Sequence, residues 1–221
     1  MTSPLVIFGG SEIAEVAHYY FSKDTNYDVI GFTVDGAYVT QDRFCELPVI
    51  PFEELPSRHP ASSCSLFIAL SYSKLNSVRM TKYQAAKALG YTCPSYVSSK
   101  ASVLNAHRIG ENCFILEDNT IQPFATIGDN VTLWSGNHIG HHACIGDHSF
   151  ISSHVVVSGG VTIGQQCFIG VNATIRDHVN IGDRCVIGAG ALLLHDADSD
   201  GVYIGGETPR SKVPSSRLRR I

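Results

Sequence analysis

From Val97 onward an aliphatic residue returns at every sixth position without interruption: Val97, Val103, Ile109, Ile115, Ile121, Ile127, Leu133, Ile139, Ile145, Ile151, Val157, Ile163, Ile169, Ile175, Ile181, Ile187 and Leu193. Six helical steps turn a side chain through roughly 240°, which scatters such a series over three directions. On a strand six is an even number, so every member points to the same side. The period therefore describes short strands joined by tight corners, the hexapeptide signature of a parallel β-helix. Three strands and three corners close a coil in eighteen residues, so this stretch makes between five and six coils stacked about 4.8 Å apart.

The position two before each aliphatic residue is often small or β-branched: Ala101, Cys113, Ala125, Val131, Ala143, Val155, Val161, Cys167, Ala173, Val179, Cys185 and Ala191. Large and small side chains then share one narrow interior. The position after the aliphatic is repeatedly glycine, at 110, 128, 140, 146, 164, 170, 182 and 188, and is read as a corner that tolerates positive φ.

The first ninety residues follow a different pattern. Leu5 to Phe8 reads as an apolar strand, Gly9-Gly10-Ser11 as a turn, and Glu12 to Phe21 as an amphipathic helix. Tyr27 to Val34 and Leu66 to Leu70 are two further strands, and Asn76 to Leu89 a helix stopped by Gly90. The expected organisation is a small Rossmann-like α/β domain with a parallel sheet over 1–90, a β-helix over 91–204 and a capping tail over 205–221. After Leu193 the repeat is expected to stop, with Val202 to Gly205 as a last strand.

Bulk properties narrow the partners. The chain has 221 residues, 44% of them hydrophobic, and a formal net charge of −4. Nothing in that balance attracts nucleic acid or an anionic membrane, and the Arg217, Arg219 and Arg220 cluster reads as a solvated terminus. No stretch is long and apolar enough for a membrane span and no leader pattern opens the chain, so a cytoplasmic protein is expected. The seven cysteines include no C-x-x-C pair, which argues against a disulfide or zinc framework.

Six of the ten histidines fall in one short stretch of the repeat: His138, His141, His142, His148, His154 and His178. Imidazole is the side chain best suited to move protons at neutral pH, so the segment from Trp134 to His142 is the candidate catalytic region. Backbone N–H groups near Ser158-Gly159 or Ala189-Gly190 are candidates for holding an oxyanion and admitting a thin ligand, with plain corner geometry as the alternative. Gly9, Gly10 and Ser11 stand where a helix N-terminus can meet a phosphate, although the glycine pattern is incomplete for a nicotinamide-binding fingerprint.

Ile7-Phe8-Gly9-Gly10-Ser11-Glu12, Ile30 to Asp35 and Ile139-Gly140-His141-His142-Ala143-Cys144-Ile145-Gly146-Asp147 resemble the nucleotide-sugar acetyltransferases related to bacterial sialic acid O-acetyltransferases. That resemblance covers nearly the whole chain. It implies a left-handed β-helix, acetyl-CoA as acyl donor, no metal, and a homotrimer with active sites between neighbouring prisms. It implies His141 as general base, acting by direct attack of an amino group, or less readily a hydroxyl, of a nucleotide-linked sugar on the thioester for surface polysaccharide synthesis. Relatives often carry an acidic residue where this chain has His142, and some carry a second histidine where this chain has Phe150. The resemblance also places the sugar-nucleotide pyrophosphate at Gly9-Gly10-Ser11, with Asp35 near the base or ribose and Ser71-Tyr72 on the facing loop. Two other functions compete. A zinc-dependent carbonic anhydrase of the γ class uses such a prism, and His142 and His178 are two coils apart, but Asp183 stands where a third ligand would fall. A non-catalytic nucleotide-binding scaffold is the other.

Overall fold

The computed structural model describes residues 2–104 and 108–217. The amino-terminal domain runs β1 (Ser3–Phe8), α1 (Glu12–Asp24), β2 (Tyr27–Val34), β3 (Arg43–Phe44), β4 (Leu47–Pro51), α2 (Leu55–Arg58), β5 (Ser65–Ile68) and α3 (Ser77–Ala88). Its sheet has the order β3-β4-β2-β1-β5, parallel throughout except for β3. Alternation along β1 divides the core: Leu5 and Ile7 pack with Ala14, Ala17 and Phe21 of α1, while Val6 and Phe8 pack with Leu55 of α2 and Tyr83 and Ala86 of α3.

The β3–β4 hairpin is absent from the sequence reading, for a physical reason. Its two-residue turn is Cys45-Glu46, both at positive φ (47° and 62°), where the usual signal is Asn or Gly. β4 also carries Pro48 and Pro51, which ordinarily argue against a strand.

The repeat folds into three parallel sheets, one per side of a triangular prism, as a left-handed β-helix. The first face is built from two-residue rungs at 96–97, 114–115, 132–133, 150–151, 168–169, 186–187 and 202–203. Rungs from 102–103 to 192–193 make the second face, and those at 126–127, 144–145, 162–163 and 180–181 the third. The aliphatic series fills the interior with the small positions between its members. Asn119, Asn137 and Ser149 are buried polar residues on those small positions: Asn119 Nδ2 donates to the Leu116 and Trp134 carbonyls although its Oδ1 has no partner, Asn137 Oδ1 accepts from Val155 N, and Ser149 Oγ donates to the Gly164 carbonyl.

The expectation for the corners is corrected. The glycines that follow the aliphatic residues do not have positive φ; that conformation falls two positions later, on Asn112, Asp118, Phe124, Asn130, Gly136, His142, His148, His154, Gly160, Gln166, Asn172, His178, Arg184 and Gly190. Glycine is needed instead because the next coil touches its α-carbon: a Cβ on Gly146 would meet the Gly164 carbonyl carbon at 2.5 Å, and one on Gly128 the Asp147 carboxylate at 2.2 Å. Four of the repeat histidines thus occupy left-handed corners, a conformation enriched in Asn, Asp and His, which accounts for much of their clustering without catalysis.

The repeat also continues past Leu193. Ala197 bridges to Ile181 and Val202–Tyr203 pairs with Val186–Ile187, a register of sixteen residues in place of eighteen. Tyr203 of this shortened coil packs against the core end, whereas 206–217 are exposed, so the cap comes from the coil and not from the tail. Arg217 is exposed; Arg219 and Arg220 lie outside the described residues.

The two domains share one apolar cluster beside the prism's own interior. The first face turns Tyr96 and Phe114 outward into contact with Tyr20, Phe21 and Phe67, and Asp24 accepts from the Tyr96 hydroxyl and Ser99 N, both at 2.8 Å. A second seam is polar. Arg79 of α3 is buried without a carboxylate beside it and donates to Thr132 Oγ1 and to the His148 and Ser149 carbonyls, while Asn76 Nδ2 donates to the Cys167 carbonyl. Burial alone pulls the Arg79 guanidinium down to about 10, so it remains charged at neutral pH. His148 accepts at Nδ1 from Asn130 Nδ2, which fixes the neutral Nε2–H tautomer, and burial lowers its proton affinity.

This packing can be tested at three points. Gly146→Ala destabilises by about 1–3 kcal/mol because backbone occupies the space, whereas Gly190→Asn, with nothing within 4 Å, stays within about 0.5 kcal/mol. Urea unfolding giving the reverse order would contradict the close-approach account. Arg79→Met leaves buried carbonyls unpaired, costs about 2–4 kcal/mol, and speeds hydrogen exchange in α3 ahead of the prism interior. Since folding holds His148 below its ordinary 6.5, its contribution is full above that pH and is lost as pH falls below it. His148→Asn therefore flattens the stability profile between about pH 7 and 5, whereas an unchanged slope would remove His148 from that role.

Candidate active site

The first βα turn is built for close approach. Gly9 has φ of +146°, and a Cβ there would meet the Ala69 carbonyl oxygen at 2.7 Å and Ala14 Cβ at 2.9 Å. Ser11 is the N-cap of α1 through its carbonyl, which accepts from Ala14 and Glu15, while its hydroxyl makes no cap bond. The first N–H groups of α1 therefore face outward unpaired within the helix. Gly9, Gly10 and Ser11 line a cleft of about 250 Å³ with Asp35, Tyr38, Leu70, Val78 and Lys82.

Asp35 does not stand alone in that cleft. Lys82 Nζ lies 2.6 Å from its Oδ1 and also sits over the Phe8 and Phe52 rings, at 5.6 and 5.9 Å. The Asp35-Gly36 turn is pinned by Gly36 N donating to Glu53 Oε2 at 2.9 Å. The sequence alone does not single out Lys82, which reads there as one lysine on a helix.

Tyr72 is placed elsewhere. Its ring packs edge-on against Phe150 at 5.0 Å and tilted against Phe168 at 4.8 Å, so the 71–76 loop leans on the prism. Ser71 Oγ lies 3.2 Å from Ser73 Oγ in the same loop. Tyr72, Trp134, Phe150, Ser152, Ser153 and Val171 line a second cleft of about 380 Å³ together with Glu12, Ile13 and Val16 of α1. The two clefts flank the N-terminus of α1. The aromatic side was legible in principle: Tyr96, Phe114, Phe150 and Phe168 recur at multiples of eighteen on the outward position of one face, a period-eighteen signal hidden beneath the period of six.

His141 and His142 lie on a different edge. They form the corner between the second and third faces, which is the prism edge opposite the first face. The chain is held there at three points: His141 N donates to Gln122 Oε1 at 2.9 Å, Gly160 N donates to the His141 carbonyl at 2.9 Å, and His142 N donates to the Pro123 carbonyl at 3.3 Å. The His141 ring covers Gly159, where a Cβ would lie 2.7 Å from Cε1 and 2.8 Å from Nε2. Gly159 thus makes room for an imidazole. The two ring Nδ1 atoms are 3.1 Å apart, and both side chains are exposed.

Ser158 and Gly159 share the edge of His141, whereas Ala189 and Gly190 lie on the edge between the first and second faces, beneath Val171. Gly190 has φ of +66°, and a Cβ there would have nothing within 4 Å, which leaves that corner open. Within one chain the α1 clefts and Ala189-Gly190 are therefore separated from His141 and Ser158-Gly159 by the width of the prism.

Among the described residues no three His, Cys, Asp or Glu side chains converge into a metal-binding group; His142 and His178 occupy one corner column with Gly160 between them. No helix among the described residues is long and apolar enough to cross a membrane. Cys113, Cys167 and Cys185 are buried in the prism, and burial pushes the thiols of the first two up to about 12.

Residues 106–141, 124–159 and 160–195 match the family model described as bacterial transferase hexapeptide (six repeats). No curated protein sequence matches the chain. Solved structures do. The acetyltransferase domain of PglB from Neisseria gonorrhoeae FA1090 in complex with acetyl coenzyme A is 21% identical with a TM-score of 0.82, over 93% of this chain and 97% of that one. PerB from Caulobacter crescentus in complex with CoA and GDP-perosamine is 23% identical with a TM-score of 0.80, over 93% and 95%. WeeI from Acinetobacter baumannii AYE is 19% identical with a TM-score of 0.76, over 92% and 97%. These likenesses span both domains and carry the fold. Residues 106–195 thus carry the repeat that the bacterial transferase hexapeptide model describes, on a fold shared from end to end with these structures.

Proposed function

We propose that this protein transfers an acetyl group from acetyl-CoA to an amino group of a nucleotide-linked sugar, with His141 as general base. The observation that carries the reading is the held imidazole of His141 on a prism edge, on a fold whose relatives include an acetyltransferase domain bound to acetyl coenzyme A and one bound to CoA and GDP-perosamine. The nucleotide occupies the cleft of Gly9, Gly10, Ser11, Asp35 and Lys82. N–H groups at the start of α1 meet the pyrophosphate, and Lys82 supplies the positive charge that Asp35 would otherwise oppose.

The sugar extends past α1 into the cleft lined by Tyr72, Trp134 and Phe150. A ring face of a sugar carries C–H groups that stack on such aromatics, while Glu12, Ser152 and Ser153 offer polar partners. Because His141 lies on the opposite edge of the same prism, the amine reaches the His141 of a neighbouring subunit, which makes the protein a trimer with shared sites. Ala189 and Gly190 of one subunit then face Ser158, Gly159 and His141 of the next, and acetyl-CoA lies between them.

The chemistry needs no acyl-enzyme. The neutral amine attacks the thioester carbonyl, His141 takes the proton that the new C–N bond makes acidic, and backbone N–H groups hold the oxyanion. Collapse breaks the C–S bond and the CoA thiolate leaves, taking a proton back from the imidazolium. Water could compete, so the reaction is confined to a cleft that closes around both substrates.

Thiol release from acetyl-CoA, measured over a panel of UDP-, dTDP-, GDP- and CMP-linked amino sugars, tests the reading. One sugar nucleotide is expected to turn over, with a solution mass about three times 23.9 kDa. His141→Asn lowers kcat by about 10²–10⁴ with little change in CoA affinity. Trp134→Ala raises the KM for the sugar nucleotide about tenfold and leaves kcat within a few-fold, since stacking is common to ground and transition states. Full activity as a monomer, or near wild-type kcat in His141→Asn, contradicts the proposal.

A further inference from the structure

Three successive residues, Lys74, Leu75 and Asn76, have φ of 50°, 51° and 64°. Among the described residues no other run of left-handed backbone is as long. None of the three is glycine and only Asn is at home in that region, so the chain does not take this path by preference. The turn must be held. It lies between Tyr72, whose ring walls the sugar-side cleft, and α3, whose Val78 and Lys82 line the nucleotide cleft.

Asn76 supplies the hold. It is fully buried, and although it is the N-cap of α3 its side chain makes no cap bond, the usual task of Asn at that position. The side chain reaches across to the prism instead. Its Nδ2 donates to the Cys167 carbonyl at 3.0 Å, and that oxygen also accepts Phe150 N at 2.8 Å in the ladder of the first face. Its Oδ1 accepts from Arg79 Nη2 at 3.2 Å, and the same nitrogen donates to the His148 and Ser149 carbonyls just before Phe150. Its backbone N donates to the Tyr72 carbonyl at 3.2 Å. One residue thus ties the backbone of Tyr72 to that of Phe150, and the two rings meet edge-on at 5.0 Å in the cleft.

We propose that Asn76 is a positioning residue for the sugar: it holds the left-handed turn against the prism and so sets Tyr72 on Phe150 as one wall of the cleft. The inference rests on the placing of the sugar in that cleft under the proposed function. Ring packing alone would not fix Tyr72, because the residue stays 51% exposed and aromatic pairs tolerate a range of geometries. The directed bonds of a buried amide supply what the ring lacks. Because Val78 and Lys82 leave the other side of the same helix, the wall of the sugar cleft is set in a fixed relation to the nucleotide cleft.

A double-mutant cycle with Tyr72→Ala tests this. Asn76→Gly removes the amide and leaves the left-handed backbone free of strain. It is expected to raise the KM for the sugar nucleotide about tenfold, with kcat within a few-fold and the affinity for the bare nucleoside diphosphate unchanged. On the Tyr72→Ala background it adds nothing further, because both changes act on one wall. Trp134 is the one tryptophan of the chain and stands half-buried in the same cleft, which gives a readout without substrate. Acrylamide quenching of its emission rises in Asn76→Gly and in Tyr72→Ala, and no further in the double variant. Lys74 is exposed, so Lys74→Gly only relieves the turn and raises the urea midpoint, with KM as in wild type. Asn76→Asp keeps the left-handed preference and the bond from Arg79 but sets an acceptor against the Cys167 carbonyl, and it replaces Asn76→Gly in the cycle should that variant not fold. Additive effects on KM and quenching, or a parallel loss of nucleoside diphosphate affinity, would mean that Asn76 serves the fold at large and overturn the proposal, as would wild-type KM and quenching in both Asn76 variants. If no sugar nucleotide turns over, the proposed reaction fails, and the quenching cycle in the unliganded protein still judges whether Asn76 holds Tyr72.

Discussion

Up to the shortened last coil, each rung of the prism pairs in register with the rung eighteen residues later, and this pairing decides what stands above what along every edge. A side chain on one coil has the corner of the next coil as its floor or ceiling. The Asp129 and Asp147 carboxylates reach back to Glu111 N and Asp129 N at 2.8 Å, which is possible because Gly110 and Gly128 have no side chain in the way. The same stacking seats His154 on Gly136, His178 on Gly160 and His141 on Gly159. A residue inserted anywhere in the repeat would shift the face of every later side chain. The placement of the candidate base is thus a consequence of the register, not of a local loop.

The amino-terminal domain is bound to that frame by two unlike seams. The aromatic one, from Tyr20 and Phe21 to Tyr96 and Phe114, removes apolar surface from water and gives attraction without a fixed direction. The polar one, through Arg79 and Asn76, supplies direction, because buried carbonyls accept only along defined lines. Between them the α1 clefts are fixed against the first face, and the histidine pair is fixed at the far edge. A shared site follows from that separation under the proposed reaction, since nothing in the fold brings the two together within a chain.

Much of this is legible in the amino-acid sequence. The period of six specifies the prism, its interior and its three faces, because strand alternation and corner length allow only one way to keep every Ile139-type residue inside. The features that stay hidden have weak local signals. The β3–β4 turn uses Cys45-Glu46 where Asn-Gly would announce a hairpin, and the shortened last coil lacks two residues, so Ala197 and Tyr203 fall out of the count. Corner glycines invite the wrong cause, since close approach of a neighbouring coil is a tertiary fact that composition does not display. In the candidate site, the repeat marks the histidine-rich segment from Trp134 to His142 and the resemblance alone singles out His141, whereas the sugar-side role of Trp134 and the part of Lys82 stay hidden, because the partners that give them meaning, Phe150 and Asp35, come from other coils or elements.

The central claim is that the nucleotide-sugar cleft of one subunit serves His141 of another, and subunit complementation tests it most directly. Trimers are denatured and reassembled from a mixture of two inactive proteins, His141→Asn and the cleft double variant Asp35→Ala, Lys82→Ala. Sites that pair the intact cleft of the first with the intact His141 of the second are expected to recover activity, to about a fifth to a quarter of wild type for random assembly at equal ratio. A mixture that remains as inactive as its parents, with mixed trimers demonstrated by mass, would place cleft and base in the same chain and contradict the account.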